Sequence, residues 1–473
     1  MFFGMPIKNG LRVVPRQFFN TVLCPLVLAQ IRTAPGSGAT ERRNIKSRCI
    51  LFSLLFFTFS SGLNAAPGDP TITLSTAVQR SLSQNPSLKV FPYRYAALQG
   101  QAETARLRPA YELGFEAENI GGSGDFSGAG GAELTIALSS VIEMGDKRTA
   151  RQGVVSRSRS VLDASRQVES LALLGEVTRR YVDVLAAQEQ AALAAEAAQL
   201  ASESLRIVKK RATAGATPEA EVKRAQAAAE QAKLALLSEQ QRLAYLKVSL
   251  SALWGVTTPD FAKVRGDLFQ FGEDVAFEML YAKVEKNPAI EIFAAESRLK
   301  EAELRLAQTQ SSADISWSVG VRRIQETDDT ALVAGFSMPL FSAQRNTGAV
   351  STALAEKNQV FAERDVMLLD LHTQLFRAYH NRKQAIVAVK ALRTAIIPAL
   401  EQALIETQAA YQLGRYGYLD YVSARQELLS ARRTQIEAAA AALTYGAEIE
   451  QLTAEPLALT QYGEDNTFSG SEQ

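Results

Sequence analysis

The sequence is poor in the residues that catalysis and metal chemistry draw on. It holds two cysteines and two histidines in 473 residues. Both cysteines, Cys24 and Cys49, fall in a basic leader. The chain beyond that leader therefore has no disulfide, no thiolate metal site and no cysteine to lipidate. His372 and His380 alone cannot build a His/Cys-rich metal centre. Beyond the leader no apolar run reaches 18 residues, which argues against further transmembrane helices. An exported chain of this kind can still cross a membrane as a closed β-barrel. Walker A, Gly-Xaa-Ser-Xaa-Gly and His-Glu-Xaa-Xaa-His motifs are missing, as is any basic stripe with interleaved aromatics. Nothing supports an enzyme, a cofactor or a nucleic-acid partner.

The formal charge of +1 hides an asymmetry. Residues 1–65 carry eight Lys/Arg against Glu41, about +7, so the remainder is about −6. Arg42 to Arg48 forms a charged segment, Cys49 to Leu63 an apolar core, and Ala65 a cleavage position. This is the pattern of a secretory signal peptide, with a core too short to span a bilayer. Residues 1–65 are thus read as an N-terminal extension and signal peptide.

What is present is a duplication. Ser83-Gln84-Asn85-Pro86-Ser87-Leu88 recurs as Glu285-Lys286-Asn287-Pro288-Ala289-Ile290, and each copy leads into an Ala/Glu/Arg-rich helical stretch. Tyr181 answers to Tyr379, and Gly215 with Glu221 answers to Gly414 with Asp420. Four matches in register define two structural repeats. The first covers 66–270, with a strand pair at about 110–142 and long helices at about 145–211 and 218–254. The second covers 271–455, with a strand pair at about 313–341 and long helices at about 343–412 and 418–452. A tail, 456–473, follows.

The strand pairs alternate with period two. Leu113, Phe115 and Ala117 oppose Glu112, Glu116 and Glu118, and Leu134, Ile136 and Leu138 oppose Glu133 and Thr135. Ile315, Trp317, Val319 and Val321 alternate with small or polar residues and Arg322, and Leu332, Ala334, Phe336, Met338 and Leu340 follow suit. Strands of about ten residues with one apolar face fit a bilayer crossing, but four cannot close a barrel. Several chains would have to pool them. The other reading is two amphipathic hairpins on a soluble core.

The helices are long. Asp146 to Arg211 holds no proline and two glycines, about 100 Å of helix if unbroken. Val154, Val161 and Val168 repeat every seven residues, as do Leu236, Leu243 and Leu250, and Leu429, Ile436 and Leu443. That spacing implies left-handed coiled-coil packing. The helical hairpins turn at Ala214, Gly215, Ala216 and Thr217, and at Leu413, Gly414, Arg415, Tyr416 and Gly417. Gly215 suits a left-handed cap, and Pro218 the first turn of the next helix.

Over about residues 70–455 these features resemble the TolC-like outer-membrane factor family, and Ile142-Glu143-Met144-Gly145-Asp146-Lys147-Arg148 resembles its heavy-metal branch, typified by CzcC. Met144 and Asp146 depart from that branch's pattern, and Ser337-Met338-Pro339-Leu340-Phe341 is similar to the wider family's strand exit. The resemblance implies a mostly α fold with a small β part. Duplicated antiparallel helical hairpins would form an α-barrel, and four transmembrane strands per subunit a shared 12-stranded β-barrel in a homotrimer. It implies an outer-membrane exit duct in outer-membrane lipid, whose helical tunnel meets a periplasmic membrane-fusion adaptor at the hairpin tips and an inner-membrane RND pump. By position, Asp420, Glu221 and Arg415 would contribute to the periplasmic entrance. Glu112, Glu116, Glu118 and Glu133 would face the barrel lumen, together with Arg322, and favour cations. Divalent metal ions are the expected cargo. Drugs or a secreted protein through the same duct, or a soluble periplasmic coiled-coil scaffold, are the competing readings.

Overall fold

The computed structural model describes residues 71–456; the leader and the tail beyond residue 456 lie outside the described residues. In chain order the elements are β1 (Thr71–Ile72), α1 (Leu74–Gln84), α2 (Phe91–Arg106), β2 (Glu112–Glu118), β3 (Glu133–Ile142), α3 (Lys147–Thr213) and α4 (Glu219–Ser251). Then follow β4 (Lys263–Val264), α5 (Phe277–Val284), α6 (Pro288–Thr309), β5 (Ile315–Ile324), β6 (Asp329–Ser337), α7 (Ser342–Arg345), α8 (Thr347–Ala391), α9 (Ile397–Gln412) and α10 (Tyr418–Thr453). The chain is mostly helical with a small sheet.

Length comes from α3, 67 residues without a break, about 100 Å. Ala, Glu, Gln, Arg and Leu fill it, and these residues lose little rotamer freedom in a helix. Its buried positions, among them Val177, Tyr181, Val184, Ala194, Ala198, Ala201 and Val208, step by three, four, seven or ten, which keeps them on one helix face. Along its length α3 packs against α4, α6 and α10. Gly175 leaves room for the Gln451 side chain of α10, whose Oε1 accepts from Arg179 Nη1 at 2.8 Å; a Cβ at 175 would lie 2.1 Å from that oxygen. Tyr181, fully buried, shares its hydroxyl proton between the backbone carbonyls of Ile72, in β1, and Arg265, just after β4 of the parallel β1–β4 pair.

The duplicated Asn-Pro motifs perform one structural job twice. Asn85 Nδ2 donates to the Leu253 carbonyl at 2.7 Å, and Asn287 Nδ2 donates to the Leu452 carbonyl at 2.9 Å. Each asparagine also accepts from a backbone N–H two residues on, Ser87 or Ala289, both at 2.8 Å. Start and finish of each repeat are thereby tied by one buried side chain, which satisfies a carbonyl in the turn just after α4 in the first copy and near the end of α10 in the second.

Several details differ from the sequence reading. The stretch 343–412 is one helix by composition, but the structure divides it. A π-helical turn, Leu392–Ile396, separates α8 from α9, with Pro398 just after it. A π-turn holds one extra residue. The repeats show that residue directly: 34 positions separate Tyr181 from Gly215, and 35 separate Tyr379 from Gly414. Pro398 adds to the break because it has no N–H to donate. Pro218 is the second difference: with φ −67° and ψ 148° it caps α4 from outside rather than sitting in its first turn.

The sheet runs β2-β3-β5-β6, antiparallel throughout. Ser337 ends β6, so Met338 and Leu340 fall outside it; Pro339 cannot donate to a ladder. Nothing else in the described residues pairs with the outer edges of β2 and β6.

Candidate functional site

Alternation and register sort the sheet into two faces. Glu112, Glu116 and Glu118 of β2 share one face with Glu133 and Thr135 of β3 and Arg322 of β5. Across the other lie Leu113, Phe115, Leu134, Ile136, Leu138, Val319, Val321, Leu332 and Phe336, all exposed. Leu332 is 87% and Phe336 85% accessible. An unbroken apolar face of that extent needs cover by something apolar.

On the polar face Arg322 changes the expected electrostatics. Its Nη2 lies 3.0 Å from Glu118 Oε2 and its Nη1 2.7 Å from Glu133 Oε2, while its Nε donates to Thr135 Oγ1 at 3.0 Å. The four glutamates are therefore two kinds. Glu118 and Glu133 are tied to one guanidinium; Glu112 and Glu116 have no ion-pair partner among the described residues.

The hairpin tips are built alike. Gly215 (φ 73°) and Gly414 (φ 75°) take the left-handed conformation that ends α3 and α9. Ala214, Gly215, Ala216, Leu413, Gly414, Arg415, Tyr416 and Gly417 are exposed or edge a cleft between the tips, and Thr217 is half-buried. That cleft, about 500 Å³, also carries Arg206, Lys210 and Arg211.

Of the expected entrance residues, Asp420 has a definite local role: its Oδ2 accepts from the Gly417 N–H at 2.9 Å, closing the start of α10. Its charge also suits the positive end of the helix. Arg415 is exposed, and Glu221 lies half-exposed in the first turn of α4. Among the described residues Arg415 forms no ion pair with either acid. The structure brings together a different set. Arg211, at the end of α3, donates to the Tyr411 and Gln412 carbonyls at the end of α9, and its guanidinium lies 4.6 Å from the Tyr411 ring centroid. Tyr411 stacks on Tyr421 at 5.8 Å, and Tyr418 closes the cluster, 6.2 Å from Tyr411. Arg425, 5% exposed, donates to Ser204 Oγ at 2.9 Å and holds α10 to α3. Burial pushes the Tyr411 and Tyr418 hydroxyls up from the usual tyrosine range. This lock between hairpins was missed by looking only at acids near glycines. Part of its signal was available: Tyr418 and Tyr421 sit three apart at the start of α10, and Tyr411 lies just before the same turn.

Three comparisons bear on identity. The outer membrane efflux protein family model matches residues 77–256. The cobalt-zinc-cadmium resistance protein CzcC of Cupriavidus metallidurans is 25% identical over 361 residues, 76% of this chain and 85% of that protein. The nickel-cobalt-cadmium resistance protein NccC of Alcaligenes xylosoxydans xylosoxydans is 25% identical over 316 residues, 66% of this chain and 70% of that one. Among solved structures, one of CusC shares the fold at a TM-score of 0.66 and 16% identity, covering 80% of this chain and 91% of that one. A membrane protein from Pseudomonas aeruginosa does so at 0.66 and 17%, covering 81% and 90%.

Proposed function

As a CzcC-like relative of the outer membrane efflux proteins, this chain, we propose, is the outer-membrane duct subunit of a tripartite efflux system that exports divalent heavy-metal cations. The observation that carries the reading is the sheet: one face apolar and exposed, the other charged, and both edges open. In lipid a sheet must close, because unpaired backbone groups cost several kcal/mol each. Four strands per chain close when three chains pool twelve, β6 of one pairing with β2 of the next. The apolar face then meets lipid and the polar face lines a wet lumen. The long helices extend the passage into the periplasm.

In this assembly Glu112 and Glu116 form the cation-attracting ring, while Arg322 compensates Glu118 and Glu133. The two tips take the adaptor, and an inner-membrane RND pump supplies the energy. Asp420, Glu221 and Arg415 lie at the periplasmic entrance, with the Arg211–Tyr411 contact as the link that keeps neighbouring hairpins drawn in. The metal cargo rests on the two resistance-protein relatives.

The test is a deletion strain assayed for growth and retained Zn, Co, Cd, Ni and Cu, with dye efflux as control. Hypersensitivity and retention for one or two cations with normal dye efflux is the expected result. Normal metal tolerance with lost dye efflux would sink the metal cargo and leave the duct standing. A protein that fails to fractionate with the outer membrane would sink the duct as well.

A further inference from the structure

A pocket of about 360 Å³ lies where sheet and helices join. The α2–β2 connection supplies Arg108 and Tyr111, β3 ends there at Ser140 to Ile142, α3 starts there with Lys147 and Arg148, and Trp317 of β5 closes one side. The ionised groups around it sort by partner. Lys147 is held by Asp314 at 2.7 Å, and Glu143 is held by Arg151, with one N–O distance of 2.9 Å. Arg108, Arg148 and Asp146 have no ion-pair partner among the described residues. The pocket therefore keeps two guanidinium groups against one carboxylate, a net charge of about +1. The start of α3 reinforces this sign, because its first turn holds no acid and Asp146 provides no side-chain cap.

The pocket's other wall is aromatic and belongs to the apolar face of the sheet. Tyr111 meets Trp317 edge-on with ring centroids 6.3 Å apart, and Trp317 is the cross-strand neighbour of Phe336. From there the exposed track runs up the sheet through Leu138 and Val319. Cations at the foot of an apolar wall, with Tyr and Trp between them, are the arrangement that suits a lipid at the membrane–water boundary.

We propose that this pocket binds the phosphate of a glycerophospholipid, one per chain, in the leaflet facing the helices. Arg108 and Arg148 hold the phosphate diester, whose single negative charge matches the pocket. Tyr111 and Trp317 pack against the glycerol and first acyl carbons, and the chains lie along Leu138 and Val319. The inference rests on the outer-membrane reading above. It makes the site a depth gauge, fixing where the sheet stops and the water begins.

Native mass spectrometry of the detergent-extracted full chain, titrated with phosphatidylglycerol, tests it. Wild type should retain discrete phosphatidylglycerol adducts. The R108Q/R148Q variant should bind on the order of thirtyfold more weakly, because both cations that face the phosphate are removed, while R323Q, at the far end of β5, should match wild type. Arg108 sits in an exposed connection, so R108Q alone serves should the double variant not fold, with about a fivefold weakening expected. Equal retention by R108Q and wild type overturns the site. Displacement of the lipid by inorganic phosphate as readily as by free phosphatidylglycerol also overturns it, since the pocket would then be a plain anion subsite. Density-gradient fractionation of wild type separates the two levels: outer-membrane sedimentation without these adducts rejects this site alone, whereas sedimentation elsewhere rejects the membrane reading beneath it.

Discussion

At the residue scale the tip cluster is where chemistry is most constrained. Arg211 satisfies carbonyls that α9 leaves open, and hydrogen bonds to a charged donor contribute about 1.5–3 kcal/mol when shielded. Arg211 is partly exposed, so its removal in R211A should cost about 1 kcal/mol. In planar bilayers R211A should also raise the open-channel conductance, while R211K, charged but without the planar fork, should fall between. Unchanged conductance in both would show that this contact does not restrain the tips. Tyr411 and Tyr418 give a pH signature. Their hydroxyls titrate higher folded than unfolded, so the neutral form favours folding. That contribution is complete below the ordinary tyrosine value of about 10 and is lost as pH rises through the folded value. Y418F should flatten the alkaline limb of a melting-temperature profile; an identical limb in Y418F would refute the assignment. Local pattern could place Tyr418 and Tyr421 three apart on one face of α10, and Tyr411 at the end of α9. It could not say that Arg211, some 200 positions earlier in the chain, would meet them, because that contact depends on how two hairpins pack.

The elements were largely legible because period and composition act locally. Strand alternation at Leu113–Ala117 and Ile315–Val321, the proline-free run of α3, and the glycine caps at 215 and 414 each follow from a few neighbouring residues. The π-turn at Leu392–Ile396 was not legible in that way, since Leu-Arg-Thr-Ala-Ile is ordinary helical sequence. Only the one-residue mismatch between repeats betrays it. Deleting Ala395 should restore the spacing of the first repeat and let α8 run into α9, with slower amide exchange across residues 392–396. Exchange as fast as wild type would mean that Pro398 alone sets the break. The Asn-Pro motifs show the converse: their recurrence was visible, but their reach to Leu253 and Leu452 was not, because it spans about 165 residues of chain.

For the whole molecule the deciding quantity is the exposed apolar face, and a single charge there tests it. Leu332 sits on β6 with no cover. An arginine at bilayer depth costs about 2–4 kcal/mol on a lipid-facing strand. L332R should therefore reduce the folded population in lipid while V333T, on the polar face, should not. Heat-resistant oligomer on unboiled gels reads this out, and equal bands for L332R and wild type would argue against lipid contact. The division of the polar-face glutamates belongs to this scale too. R322Q should leave Glu118 and Glu133 uncompensated and raise cation over anion permeability, measured as a reversal potential in a salt gradient; no shift would place Arg322 outside the conduction path.

The open edges carry one more consequence. β2 and β6 differ in sequence, so any seam between chains joins unlike surfaces head to tail. Such a seam does not limit itself: it forms a ring only when the angle between successive copies divides the circle, and otherwise it continues as a ribbon. The number of chains is then a matter of curvature rather than of bond strength. A substitution that bends the sheet slightly could leave every chain folded and every seam intact and still produce rings of the wrong size, a failure of arithmetic instead of stability.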